Sequence, residues 1–354
     1  MLTIDGSFGE GGGQIVRTSV ALAALTGTPV RLVNVRAGRP RPGLQAQHVA
    51  AVQAVTTLCR GELQGAQLNS TTFTFRPGAL QPGRYRFDVG DVRRSAGAAS
   101  LVLQTVLLPL AVAGGESHVT IRGGTHVPWS PPADYLSEVF LPTLARVGLR
   151  ASLRLPRAGY YPQGGGELEL SVAGHAKLRG LSLAERHEPA RLQLRITCSL
   201  LPDHIPRRIA ARCQELLAEA DLEVAVVQAP ADSPGVCCFL LARYGEVLAG
   251  FTALGARGKP SERVAEECVE AFRQFEARAA PVDRHLADQL ILPLALADGE
   301  SRLRIERITP HLVTNLHVIR HFLPMVFNLE GEGETEGWLC LRGVDHAPEK
   351  RKTC

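Results

Sequence analysis

The chain has 354 residues, 45% hydrophobic and 21% charged, with a formal net charge of +4. That is enough for a large core and about two domains, and the balance is that of an ordinary soluble globular protein, which excludes disordered and fibrous classes. The start Met-Leu-Thr-Ile-Asp-Gly lacks the basic-then-apolar order of a signal peptide. No apolar run approaches the ~20 residues that cross a bilayer, so a cytoplasmic protein without membrane association is expected.

In chain order, Leu2 to Asp5 reads as a short strand, residues 6–13 as a glycine-rich loop, and Gln14 to Ala24 as a helix stopped by Thr26-Gly27. A strand follows from Pro29 to Val35, then an Arg/Gly/Pro loop from Arg36 to Gly43 and a helix from Leu44 to Cys59. Strands near Thr71 to Phe75 and Arg84 to Asp88 complete a βαβαββ order. The order recurs with helices at 96–113 and 132–147 around a strand at 118–122, then strands near Leu153 and at 166–172. It appears again with a helix from Asp288 to Ala297, a strand at 302–307, a helix beginning near Thr309, and strands at 326–329 and 338–341. About 88 residues separate Gly27 from Gly115 and about 184 separate Gly115 from Gly299, so an insertion of about 96 residues splits the later units.

The expected architecture is therefore α/β: a large discontinuous domain, residues 1–177 and 277–343, with a smaller α/β domain inserted at 178–276 and a charged, frayed tail at 344–354. Within the insert, Gly255-Ala-Arg-Gly-Lys259-Pro is not a phosphate loop, because the glycine spacing is too short and proline follows the lysine. The cysteines (Cys59, Cys198, Cys213, Cys237, Cys238, Cys268, Cys340 and Cys354) form no Cys-x-x-Cys pair and mostly lie among apolar residues, so reduced core thiols are expected rather than a disulfide frame or a zinc site. Adjacent Cys237 and Cys238 point to opposite faces of a strand, which argues against a metal shared between them.

Chemistry concentrates in a few loops and helix starts. Ile308-Thr-Pro-His-Leu-Val-Thr-Asn-Leu-His-Val-Ile-Arg-His-Phe-Leu323 has Thr309 as N-cap, Pro310 at the first helical position, and a buried stripe of Leu312, Leu316, Ile319 and Leu323. His311 falls beside that stripe in the first turn, where the helix dipole disfavours imidazolium and attracts anions, leaving a neutral ring able to attack a phosphate. Asn315, four residues on, shares its face and is placed to hold the ring or a ligand. Glu10-Gly-Gly-Gly-Gln14 offers bare backbone N–H groups to a phosphate, with Glu10 as an oxygen ligand for a divalent cation and Arg17 one turn further on. Between Glu10 and Glu62 no acidic residue occurs, whereas Arg17, Arg31, Arg36, Arg39, Arg41 and Arg60 do, which suits a polyanion and equally a basic surface helix. Asp288 serves as a site group or as an ordinary N-terminal helix charge.

At this point the chain resembles the RNA 3′-terminal phosphate cyclase family. The carriers are Asp5-Gly6, Gly9-Glu-Gly-Gly-Gly-Gln-Ile-Val-Arg17, Arg36-Ala-Gly-Arg39, Pro42-Gly43, Gln47-His48, Ser95-Ala-Gly, and Leu101-Val-Leu-Gln-Thr105. They continue in Gly123-Gly-Thr125, Pro131-Pro-Ala-Asp134, Gly159-Tyr-Tyr-Pro-x-Gly-Gly-Gly166, Leu286-Ala-Asp-Gln-Leu290 and His311-Leu-Val-Thr-Asn315. The resemblance implies an ATP-dependent, ligase-class enzyme. His311 takes AMP from ATP with release of pyrophosphate, AMP passes to an RNA 3′-phosphate, and the 2′-hydroxyl displaces it to leave a 2′,3′-cyclic phosphate. It further implies a nucleotide site at Gln14, Arg17, Arg36, Arg39, Gln47, Gln104, Pro128, His285, Leu286, Ala287, Asp288 and Gln289, with Glu10 holding Mg2+ or Mn2+.

Two features depart from the family pattern. Histidine stands at 285 where a tyrosine is usual, giving a smaller face to adenine, and Asp91-Val-Arg-Arg94 looks inserted. The competing reading is a catalytically inactive relative that binds RNA in ribosome assembly; such relatives lack the histidine, so His311 argues against it. Enolpyruvyl transferases also stack βαβαββ units, but they work through a Lys/Arg-rich cleft and this chain has few lysines. The oligomeric state, a homodimer included, stays open.

Overall fold

A computed structural model describes residues 1–93, 95–187 and 189–344. The last residue of the Asp91 to Arg94 segment and the tail beyond Val344 lie outside the described residues.

The first sheet and its helices come from β1 (Leu2–Asp5), α1 (Gly13–Thr26), β2 (Val30–Val33), α2 (Ala46–Cys59), β3 (Glu62–Gln64) and β4 (Phe73–Arg76), with strand order β1-β2-β4-β3. Next come β5 (Arg84–Asp88), α3 (Ala99–Val112), β6 (Ser117–Gly123), α4 (Ala133–Tyr135), a π turn (Leu136–Phe140) running into α5 (Leu141–Val147), β7 (Ala151–Arg157) and β8 (Gly166–Val172). Their sheet has the order β5-β6-β8-β7. After β9 (Ser182–Leu183) follow β10 (Arg191–Ser199), α6 (His204–Leu216), β11 (Leu222–Gln228), β12 (Gly235–Tyr244), β13 (Val247–Leu254) and α7 (Ser261–Glu276), with the sheet β11-β10-β12-β13. The chain ends in α8 (Arg284–Ala295), β14 (Glu300–Ile305), α9 (Pro310–Arg320), β15 (Val326–Glu330) and β16 (Gly337–Arg342), forming β15-β16-β14-β9.

In all four sheets a parallel first pair is followed by two antiparallel pairs: β1 with β2, β5 with β6, β10 with β11, and β9 with β14 are the parallel ones. This assigns two strands differently from the sequence reading. Arg84–Asp88 pairs with β6, so it opens the second sheet and does not close the first. The closing place belongs to Glu62–Gln64, which pairs with β4. β3 is three residues long and largely polar, so no periodicity announces it. Likewise Ser182 and Leu183 pair with Arg302 and Leu303, although both fall inside the span 178–276 given to the insert.

The core is continuous across the elements. α3 is buried everywhere except Gln104 and Val112, and packs against α1, α2, β6 and β8. α9 lies between α1 and α8. Its stripe of Leu312, Leu316 and Ile319, continued by Leu323 just past the helix end at Arg320, is at most 5% exposed, and burial of each stabilises the docked helix by roughly 1.5–3 kcal/mol. Local signals set the helix ends: the Thr309 hydroxyl accepts from the Leu312 N–H at 3.2 Å, and α1 stops at Gly27, whose φ of 67° is left-handed. β12 is covered on both faces, by α7 on one side and by the α4 region against the same sheet on the other, so Cys237 and Cys238 are both buried. Cys59, Cys198, Cys213 and Cys268 are also buried, and every described cysteine is a free thiol, as expected.

Candidate functional site

The loop between β1 and α1 sets the geometry. The Asp5 carboxylate accepts from the Ser7 N–H at 3.0 Å, the Ser7 hydroxyl at 2.7 Å and Asn34 Nδ2 at 3.3 Å, and these bonds hold its pKa below the ordinary value. Gly9 and Gly11 then take φ of 58° and 53°, which only glycine adopts without strain. A side chain at Gly9 would also strike Thr314 Oγ1, because the loop lies directly on the first turns of α9. Phe8 fixes it there, stacked on His317 at 3.5 Å between ring centroids.

Glu10 projects from this loop to His311. One carboxylate oxygen touches His311 Nδ1 and accepts from Gln14 Nε2 at 3.2 Å, while the other takes Arg39 Nη2 at 3.1 Å. The His311 side chain is 47% exposed, so its other ring nitrogen is open to a ligand. Asn315 does not hold the His311 ring. Its Oδ1 accepts from the Thr18 hydroxyl at 2.8 Å and its Nδ2 donates to Asp288 Oδ1, tying α1, α9 and α8 together. The sequence reading missed Thr18, although it lies four residues after Gln14 and therefore on the same face of α1.

Cations and neutral donors surround this pair. Burial lowers the pKa of Arg17 to about 10 against the opposing pull of Asp288, so Arg17 stays charged. Burial raises that of Asp288, against the pull of His311, Asn315 and Arg17. His48 Nδ1 accepts from the Gln45 N–H at 3.0 Å, so its proton sits on Nε2, the atom that a side chain at Gly13 would strike. Burial, then Arg17 and Arg36, hold the His48 pKa well below 6.5, so the ring is a neutral donor beside the bare backbone of Gly13.

Gln14, Arg17, Gln104, Asp288, Gln289 and Asn315 line a cavity of about 90 Å³. Gln289 Oε1 is buried there without a hydrogen-bond partner. Leu286 and Ala287 are packed into the core, placing the rest of the first turn of α8, while His285 is exposed at the rim. The surrounding protein, then Arg284, lowers the pKa of His285 from 6.5.

Other expected site residues are differently employed. Arg36 turns inward, its Nη1 donating to the carbonyls of Arg41 at 2.6 Å and Gly43 at 2.9 Å, so much of its fork braces its own loop. Gln47 Oε1 accepts from the Ala98 N–H at 3.1 Å and docks α2 on the start of α3. Pro128 is exposed on the loop after β6, beside Trp129, which is 98% exposed with φ of 65° and was not singled out from the sequence.

The profile of the family described as RNA 3′-terminal phosphate cyclase matches residues 8–329. A protein of that name from Methylococcus capsulatus is 54% identical over 330 residues, covering 91% of this chain and 91% of its own. One from Trichormus variabilis is 49% identical over 327 residues, covering 91% and 94%. One from Salmonella agona is 40% identical over 330 residues, covering 93% and 94%. Among solved structures, the enolpyruvyl transferase NikO from Streptomyces tendae matches at a TM-score of 0.41 and 12% identity, over 98% of this chain and 49% of that one. That score is too low to carry an argument.

Proposed function

Because the chain belongs to the RNA 3′-terminal phosphate cyclase family, we propose that it closes RNA 3′-phosphate ends to 2′,3′-cyclic phosphates in an ATP-dependent, ligase-class reaction with His311 as the nucleophile. The observation that carries this reading is the contact of His311 Nδ1 with the Glu10 carboxylate at the start of α9. A carboxylate accepts the Nδ1 proton and so leaves the lone pair on the exposed nitrogen.

That nitrogen attacks the α-phosphorus of ATP, the bond to pyrophosphate breaks, and AMP stays on the ring. An oxygen of the RNA 3′-phosphate then takes AMP, which frees the histidine. Finally the 2′-hydroxyl oxygen attacks the 3′-phosphorus, loses its proton, and expels AMP. Arg17, Arg39, the His48 Nε2–H and the glycine backbone offer donors where phosphoryl charge develops. Gln289, with its unpartnered oxygen, and Gln104 face the nucleotide cavity, and His285 and Pro128 offer faces for the base.

Glu10 suits Mg2+ or Mn2+, since such ions take one or two carboxylates and complete their shell with water and substrate phosphates. A cation bound there would supply charge neutralisation to the departing pyrophosphate. In this reading the chain comprises three βαβαββ units with an inserted α/β domain. No helix among the described residues is long and apolar enough to cross a membrane.

The test is incubation with α-labelled ATP and a divalent cation, then denaturing electrophoresis. The chain is expected to hold an acid-labile AMP label that His311→Ala and His311→Asn lose while folding normally. A label retained by either variant would sink the assignment, and no label on the unaltered chain would favour the RNA-binding alternative.

A further inference from the structure

The alternation of β12 separates its two cysteines. Cys238 faces α6, its sulfur 3.9 Å from that of Cys213. Cys237 faces the other way, where it meets His126 from the loop after β6 and Asp134 from α4. The Cys237 sulfur, one His126 ring nitrogen and one Asp134 oxygen lie within 4.8 Å of one another, and all three residues are buried. We propose that His126, Asp134 and Cys237 form a zinc site that clasps α4 and the β6–α4 loop to the sheet β11-β10-β12-β13.

The donor set is the first argument. One nitrogen, one oxygen and one sulfur ligand suit zinc, and hard ions such as Mg2+ or Ca2+ do not take thiolates. Bonds of about 2.0–2.3 Å around a tetrahedral ion place ligand atoms roughly 3.5 Å apart, which lies between the 3.0 Å of the His126–Asp134 pair and the 4.8 Å within which all three atoms fall. Thr197 is the strand partner of Cys237, and its hydroxyl is 3.4 Å from Asp134 Oδ2, so it or a water completes the shell.

The surroundings are the second argument. His126 Nε2 lies 3.0 Å from Asp134 Oδ2 and its Nδ1 lies 2.8 Å from Thr125 Oγ1. The Thr125 hydroxyl in turn accepts from the Gly159 N–H at 2.9 Å, so the ring is oriented from behind, as metal-binding imidazoles are. Arg195 Nη1 holds the other Asp134 oxygen at 3.4 Å and Glu138 at 3.2 Å. Carboxylate and thiolate together balance the charge of a divalent ion.

Nothing in the proposed reaction uses this cluster. Its consequence is positional: Tyr135, beside Asp134, donates its hydroxyl at 3.1 Å to Asp283, the cap of α8.

The experiment measures metal in the full chain, purified without a polyhistidine tag or chelator, by inductively coupled plasma mass spectrometry. About one zinc per chain is expected, and replacement by Co2+ should give the intense near-ultraviolet absorption of thiolate-to-cobalt charge transfer. Cys237→Ser, near in size, should abolish that absorption and cut zinc retention at least about tenfold, and His126→Gln should cut retention likewise. Zinc below about 0.1 per chain with no absorption when Co2+ is added to the unaltered protein would overturn the site and leave a hydrogen-bonded His–Asp pair. So would charge-transfer absorption that survives in Cys237→Ser.

Discussion

Asp283→Asn should raise the stability of the protein at neutral pH. Asp283 is 2% exposed, and one of its oxygens accepts from the N–H groups of His285 and Leu286, both at 2.9 Å. Burial first, then the charge of Glu306, lifts its pKa from 3.8 to about 6, despite those bonds and the Tyr135 hydroxyl. The folded state therefore holds this proton more tightly than the unfolded chain does. The stability it confers is full below 3.8 and is lost as pH rises through about 6. At about 1.36 kcal/mol per pH unit the gap amounts to roughly 3 kcal/mol by pH 7, or about 4 °C in Tm for a chain this long. Asparagine keeps the oxygen that caps α8 and carries no charge. Tm measured by circular dichroism from about pH 4 to about pH 7 should converge for the two proteins at the acid end and diverge toward neutrality, with the variant higher. Parallel curves, or a variant less stable at pH 7, would refute the buried-charge argument and make Asp283 an ordinary cap.

Glu10→Ala should slow adenylylation and weaken its dependence on the divalent cation, whereas Arg39→Ala should weaken handling of ATP or RNA phosphate; unchanged single-turnover rates in both would remove this loop from the site. Gly9→Ala should impair adenylylation and lower Tm by placing a methyl group against Thr314 at a left-handed φ, at a cost of roughly 1–3 kcal/mol; a variant with unaltered Tm and rate would contradict it. His285→Tyr should tighten binding of a non-hydrolysable ATP analogue to His311→Ala by offering a larger face, and should remove a pH-dependent component that lies on the acid side of 6.5. Identical affinities and pH profiles would show that residue 285 does not touch the base.

What was legible in the sequence was what is local. Thr309-Pro310 and a four-three-four apolar spacing specify α9 from within, and they place His311 beside the stripe, where it is found. The alternation of Cys237 and Cys238 is equally local and holds. What was not legible depends on partners far along the chain. β3 is a strand only because β4 pairs with it, and β5 joins the second sheet because β6 lies beside it. Arg36 reads as a free cation until its φ of 54° turns its guanidinium back on its own loop. Asn315 shares a face with His311, yet Thr18 and Asp288 claim both of its polar atoms.

The bond from Thr18 to Asn315 joins residues 297 positions apart. On a ribosome the glycine loop, Glu10 and Arg17 emerge long before the helix that bears His311. An incomplete chain that stops inside the β11-β10-β12-β13 sheet thus carries the glycine loop without the imidazole that touches Glu10. On the proposed reaction, such a product lacks the nucleophile that would take AMP from ATP.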